Sequence, residues 1–366
     1  MGAPQIDTRS AVYLRSVPSR MHLRTLFSVI GLLFAFMVIM ELKARNDNFP
    51  LNYPFSGDMW VRQWLKLDDI SDEQVVVIGA SRSQFGVIVK EWEQQTAVKP
   101  ILLPWPGQAP HPVLFELADR ESFRGTVICS IAPTFSFVSK TVPWADWIRD
   151  NIKASQTAKW SLSYHLSMAA MEFLRPRFKC LNDAAYSPVA YGFFNFPIAN
   201  RENLLAPVIF GFNATRDADI QMRYLDRVEN GDNQAQLLTN RSSVFRRLKF
   251  FGAADVQELV GEYKAAIEKI ESRGGKVVFI RPPSDGFFRD YERQHYPRKA
   301  YFDLLVTETQ CTAVHFEDHD ELKDFICVDE SHLSKADALK YTRRLINILR
   351  QKGELTVAPP SGGDDD

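Results

Sequence analysis

The chain has 366 residues, 45% of them apolar and 12% aromatic, which is enough to fill a sizeable core and excludes disorder as its default state. Lys and Arg total 44 against 45 Asp and Glu, a net charge of -1. There is then no global field to draw nucleic acid or an anionic membrane surface, and no basic stripe with interleaved aromatics marks a nucleic-acid surface.

Residues 25–40 (TLFSVIGLLFAFMVIM) carry no charge; Arg24 precedes them, and Glu41, Lys43 and Arg45 follow. The run is short for a spanning helix, which needs about 17–25 residues, but snorkelling flanks extend it. A transmembrane anchor over 25–41 is expected, after a cytoplasmic tail over 1–24. In that tail Arg9, Arg15, Arg20 and Arg24 are opposed only by Asp7, and the positive-inside rule holds such an N-terminus inside the inner (cytoplasmic) membrane, leaving the bulk of the chain extracytoplasmic or periplasmic. A cleaved signal peptide and a buried core helix are the competing readings. Against the first, ELKARND after Met40 offers no small-x-small cleavage site.

Residues 42–73, polar and aromatic with Pro50, Pro54 and Gly57, read as a connector. The folded domain is expected over 74–352, starting with QVVVIGAS, an apolar strand that ends in a Gly-small-Ser turn. Further strand-like runs are ILLP (101–104), TVICSIAP (126–133), KVVFIRPP (276–283) and AVHF (313–316), with helical patterns over 254–273, 301–309 and 334–349. Strands alternating with helices imply a parallel sheet covered on both faces, a three-layer α/β/α domain whose ligands sit at the carboxyl ends of the strands. Residues of about 137–252 break the rhythm and read as a mainly helical insertion that shapes a groove or a partner surface. The end of the chain, 353–366, reads as a flexible tail.

Ser81 follows the first strand, where a strand-to-helix turn presents a hydroxyl beside helix N-terminal amides. A plain helix N-cap would use the same residue type. Near the other end, CVDESHLS sets Asp329 three residues before His332, ahead of a helix that Ser334 can cap. A carboxylate at that spacing can hold one imidazole nitrogen while the other faces a serine. The four cysteines, Cys129, Cys180, Cys311 and Cys327, make no CxxC pair and no metal pattern with histidine. Cys311 and Cys327 flank this motif and can be read either as a disulfide of an oxidising compartment or as two free thiols. His295, His315 and His319 lack partners at ligand spacing, so no metal is expected, and His111 reads as a surface residue.

Together, Gly79-x-Ser81-Arg82 after the first strand and Asp329-x-x-His332 before the last helix resemble the SGNH (GDSL-like) hydrolase superfamily over about 75–351, outside the insertion. Within it the chain looks closest to membrane-anchored O-acylation proteins, such as the D-alanyl transfer protein of teichoic-acid modification and polysaccharide O-acetylation proteins. The resemblance implies a flavodoxin-like sheet of order 2-1-3-4-5 and a covalent acyl-serine intermediate. Ser81 would be the nucleophile, His332 the general base and Asp329 its orienting partner. Gly107, in PWPGQAP, would join the Ser81 N–H in an oxyanion hole. Where secreted members offer Asn in a third block, this chain has Ile131, Ala132, Pro133 and Thr134, with Thr134 as a stand-in donor. Arg82 and Arg281 are candidates for binding an anionic substrate group, with a structural ion pair as the other reading. The expected activity is O-acyl or O-acetyl transfer, or esterase action, on a cell-envelope polysaccharide or related surface polymer, without a cofactor. Two other readings stand beside it: a non-catalytic partner of a membrane-bound O-acyltransferase or export complex, and a phosphodiesterase or phosphatase using the two arginines.

Overall fold

The computed structural model describes residues 23–137, 146–182, 213–232, 237–238 and 256–355. Most of the expected cytoplasmic tail, most of the C-terminal tail and parts of the insertion lie outside the described residues. The chain divides into two compact units, 1–49 and 50–366.

In the first unit, α1 (Leu23–Asn46) is a 24-residue helix, about 36 Å long at 1.5 Å per residue. It is long and apolar enough to cross a membrane, and none of its most apolar stretch is buried. The helix runs beyond the uncharged segment at both ends, through Glu41, Lys43 and Arg45. Salt bridges at i,i+4 from Lys43 to Asp47 and from Arg45 to Glu41 support this polar turn.

In the second unit, α2 (Gly57–Leu65) shows that the body begins well before Val75. Met59, Trp60 and Trp64 are buried, and the Trp60 indole donates to the Leu103 carbonyl at 2.8 Å. Helical spacing of these apolar residues gives one buried face, so this part of the expected connector belongs to the core. Next come β1 (Val75–Ile78), α3 (Ser81–Gly86), α4 (Val89–Thr96), β2 (Ile101–Leu102), α5 (His111–Asp119), β3 (Thr126–Ser130) and α6 (Pro133–Ser136). The insertion supplies α7 (Asp146–Ala158), α8 (Leu162–Leu174), an antiparallel pair β4 (Ala214–Arg216) and β5 (Met222–Tyr224), and α9 (Asp226–Glu229). The chain closes with α10 (Val256–Glu271), β6 (Lys276–Arg281), α11 (Gly286–His295), α12 (Phe302–Thr309), β7 (Ala313–His315), α13 (Asp320–Lys323) and α14 (Lys335–Gln351).

Five strands form one parallel sheet in the order β2-β1-β3-β6-β7, which is 2-1-3-4-5 when only its own strands are counted. Register pairs such as Ile78 with Cys129 and Cys129 with Phe279 join fully buried residues, as a sheet covered on both faces requires. Helices α5, α10 and α12 pack together, and α3, α4 and α14 form the second group. Right-handed crossovers set the two groups on opposite faces. The order reverses at β1, so the crevice at the carboxyl ends of β1 and β3 is the switch point of the sheet.

Cys311 and Cys327 are not joined in a disulfide, so of the two readings of this pair the separate thiols hold. Cys311 precedes β7 at the amino edge of the sheet, whereas the Cys327 thiol lies 3.7 Å from the Pro283 carbonyl beyond the carboxyl end of β6. A whole strand separates them. Burial also pushes the Cys311 thiol up to about 12, so it stays protonated and unreactive.

Candidate active site

The turn that leads into Ser81 is fixed by a glycine that no other residue replaces. Gly79 has φ +141°, and a Cβ there would meet the Ser130 carbonyl oxygen at 2.7 Å and the Ser130 Cβ at 2.8 Å. The close approach of β1 to β3 therefore needs hydrogen at this position. The chain then turns through Ala80, whose extended backbone caps α3, and Ser81 is the first helical residue. Ser81 is not the N-cap, and its side chain caps nothing. Its Oγ lies 2.7 Å from His332 Nε2, although 251 positions separate the two residues.

His332 and Asp329 sit on a tight loop closed by the bridge between Cys327 and Leu333 and by Val328 N–H donating to the His332 carbonyl at 2.8 Å. Asp329 Oδ1 accepts the N–H groups of Ser331 (3.1 Å) and His332 (2.8 Å). Its Oδ2 lies 2.9 Å from His332 Nδ1. The carboxylate thus organises its own loop and points the imidazole in one motion, because a short-range Asx contact and a side-chain contact share one group. Beyond the loop, Ser334 caps α14 by accepting the Asp337 N–H at 3.1 Å. On the other side, Asp285 accepts the Cys327 N–H at 2.8 Å and donates its own N–H to the Glu330 carbonyl at 3.0 Å, tying the loop to the start of α11. Ser81, Asp329 and His332 are 7%, 0% and 4% exposed.

Two residues of this site went unnoticed in the sequence. Tyr224, on β5 of the insertion, donates its hydroxyl to Asp329 Oδ2, so the insertion reaches the carboxylate and does more than shape a groove. Phe85, one turn along α3 from Ser81, packs its ring 4.5 Å from the His332 ring and 4.8 Å from that of Tyr224. The only local signal for the hairpin is the alternation of Ala214, Arg216, Met222 and Tyr224 as buried positions, too short a pattern to stand out beside α7 and α8. Arg216 locks the hairpin further, with its guanidinium over the Phe55 ring at 4.0 Å and 5.9 Å from that of Trp105.

The three residues expected to form an oxyanion hole follow the first three strands of the sheet. As the first residue of α3, Ser81 has an N–H outside the intrahelical ladder. Gly107 has φ +73°, and its Cβ position is 3.9 Å from the Phe135 ring, so the loops after β2 and β3 lie side by side. Thr134 is buried, and its Oγ1 has no hydrogen-bond partner among the described residues.

Arg82 and Arg281 are both buried and paired with Glu292, which fits the structural ion pair of the two readings given for them. Arg82 Nη1 lies 2.9 Å from Glu292 Oε1, and its Nε donates to Ser331 Oγ at 3.1 Å. Arg281 donates to Glu292 Oε2 at 2.5 Å and to Ser284 Oγ at 3.0 Å. Burial pulls the Arg281 pKa down to about 10 against the opposing pull of Glu292. Guanidiniums buried at a strand end are tolerable only when a carboxylate and further hydrogen bonds compensate them, and Glu292 with Ser284 and Ser331 does so. His111 is likewise buried rather than on the surface, packed near Phe115 and Tyr263. No group of three or more His, Cys, Asp or Glu side chains able to hold a metal occurs among the described residues.

His315, in register with Arg281 on β7, has its pKa pushed down to about 3 by burial, with Arg281 and Arg298 adding to the shift. Its Nδ1 accepts the Glu317 N–H at 3.2 Å. The unfolded chain binds a proton here below its ordinary value of 6.5, and the folded chain does not until about 3. The contribution of His315 is therefore intact above pH 6.5, and stability falls by about 1.4 kcal/mol per pH unit below it. A His315→Gln variant is expected to flatten the acid limb of a urea-denaturation series by about that slope; an unchanged limb would rule out the neutral buried imidazole.

No model of a known protein family matches the sequence, and no curated protein matches it, so the reading of this site rests on its own geometry.

Proposed function

We propose that the body is an SGNH-type domain that carries out serine-dependent acyl-ester chemistry through an acyl-Ser81 intermediate, held outside the cytoplasmic membrane by α1. The observation that carries this reading is the 2.7 Å contact of Ser81 Oγ with His332 Nε2, while Asp329 holds the opposite ring nitrogen. His332 takes the Ser81 proton as Oγ bonds to the acyl carbonyl carbon, and returns it to the departing alcohol as the ester bond breaks. In the second half, the hydroxyl of a cell-envelope polysaccharide or related polymer, or water, gives its proton to His332 and takes the acyl group from Ser81. The oxyanion is held by the N–H groups of Ser81 and Gly107 with the Thr134 hydroxyl. The strand order 2-1-3-4-5 and the burial of the site support the same assignment.

Loss of one oxyanion donor costs about 10²–10³-fold in rate, and the loop after β3 lacks the third-block Asn. Slow hydrolysis suits an O-acyltransferase, because an acyl-enzyme that resists water survives until a sugar hydroxyl arrives. The same absence favours one other reading, a non-catalytic SGNH-like partner of a membrane-bound O-acyltransferase.

Treating the full chain with a fluorophosphonate and reading intact mass separates the two. The enzyme reading expects one adduct on Ser81, lost in Ser81→Ala and in His332→Ala. A wild-type chain that stays unlabelled, or a label that persists in both variants, overturns it.

A further inference from the structure

Helix α8 is apolar on two faces, and the body covers only one. Tyr164, Met168, Met171 and Arg175 share one side at helical spacing. Met168 is buried in the core, the Tyr164 hydroxyl donates to the Asp58 carbonyl at 2.9 Å, and Arg175 donates to the Asn52 carbonyl at 2.7 Å. Leu162, Leu166 and Phe173 form the opposite stripe and are 72%, 59% and 57% exposed, with Trp160 at 82% just before the helix and Phe178 exposed just after it. A helix apolar all round is a helix with a cover on every side, and an exposed stripe of this kind marks an interaction surface.

We infer that this stripe lies in the interfacial layer of the bilayer that α1 spans, as an in-plane amphipathic contact. Covalent connectivity supplies the first reason. Asn52, to which the C-terminal end of α8 is bonded, follows Asn46, the last residue of α1, by only six positions. Six residues of chain reach at most about 20 Å, which limits how far this helix end can lie from the end of α1. Charge supplies the second. Between positions 159 and 179 the sequence sets Lys159, Arg175, Arg177 and Lys179 against a single acid, Glu172; Glu172 pairs with Arg62 and Lys159 with Asp68, so the basic surplus lies at the C-terminal end of α8. Basic residues beside a Trp- and Leu-bearing apolar stripe suit anionic phospholipid headgroups over acyl chains. The inference rests on the proposed spanning role of α1. It would hold the body against the surface on which a lipid-linked or nascent polymer emerges.

The test uses the full chain, with no other protein, in vesicles of phosphatidylcholine containing about a third phosphatidylglycerol and a phospholipid whose diazirine sits near the headgroup. After photolysis, adducts are mapped by peptide mass. Adducts on α1 and on residues 160–178 are expected, and Leu166→Glu with Phe173→Glu is expected to cut those on 160–178 by at least about tenfold, leaving those on α1 unchanged. Adducts on α1 alone overturn the docking of α8 and leave the anchor standing. Adducts on neither overturn the anchor as well, and fluorophosphonate labelling of Ser81 reports independently on the chemistry.

Discussion

Asp329→Asn is expected to lower turnover of an activated ester by about 10⁴-fold while the fold persists. The reason lies in how the two carboxylate oxygens are used. Oδ1 accepts two backbone N–H groups, from Ser331 and His332, and only the carbonyl oxygen of an asparagine can take that place. The amide NH₂ must then occupy the position of Oδ2, facing His332 Nδ1 and the Tyr224 hydroxyl. The carbonyl oxygen in the Oδ1 place is also 3.0 Å from Nδ1 but is already engaged by two N–H groups, so the NH₂ donates to Nδ1, the ring proton moves to Nε2, and the imidazole can no longer accept from Ser81 Oγ. The Tyr224 oxygen can accept the second amide hydrogen, which keeps the loop satisfied and the melting temperature within a few degrees of the parent. Steady-state kinetics with thermal melts on the same samples check both halves. A variant that retains more than about a tenth of parental turnover removes Asp329 from the mechanism.

Much of the fold was legible because a doubly covered parallel sheet writes itself as short apolar runs. The runs at 75–78, 101–102, 126–130, 276–281 and 313–315 are the five strands, within a few residues of expectation. Ser81, Asp329 and His332 were legible for a related reason: a strand-end turn and a loop before the last helix are local features with local signals, and the parallel topology brings them together. Contacts made across the chain left no such mark. Glu292 lies on a polar helix with nothing in its neighbourhood to pair it with Arg82 and Arg281, 210 and 11 positions away. Tyr224 belongs to a three-residue strand whose worth depends on Asp329, 105 positions on. In residues 42–73, Pro50, Pro54 and Gly57 outweigh in sequence the helical spacing of Met59, Trp60 and Trp64, and only the third dimension shows that those side chains are buried.

Glu292→Leu is expected to cost about 3–5 kcal/mol of stability, the penalty for leaving buried charge unpaired. In the native body two guanidiniums, Arg82 and Arg281, share this one carboxylate, and all three side chains are at most 5% exposed. Removing the acid leaves two buried like charges without the carboxylate that compensates them. Arg82 adjoins Ser81 and donates to the hydroxyl of Ser331, which adjoins His332, so the buried ion pair also couples the nucleophile helix to the imidazole loop. The variant should therefore lose ester turnover even at temperatures where it remains folded. Charge can be separated from shape by the triple variant Arg82→Met, Arg281→Met, Glu292→Leu, which leaves no ion to desolvate and is expected to be more stable than Glu292→Leu alone. Turnover should stay low in the triple variant, because Arg82→Met removes the donor to Ser331. Equilibrium urea denaturation and ester kinetics on the two variants decide the matter. If Glu292→Leu is as stable as the parent, or if the triple variant recovers full turnover, the network neither holds the fold nor positions the site.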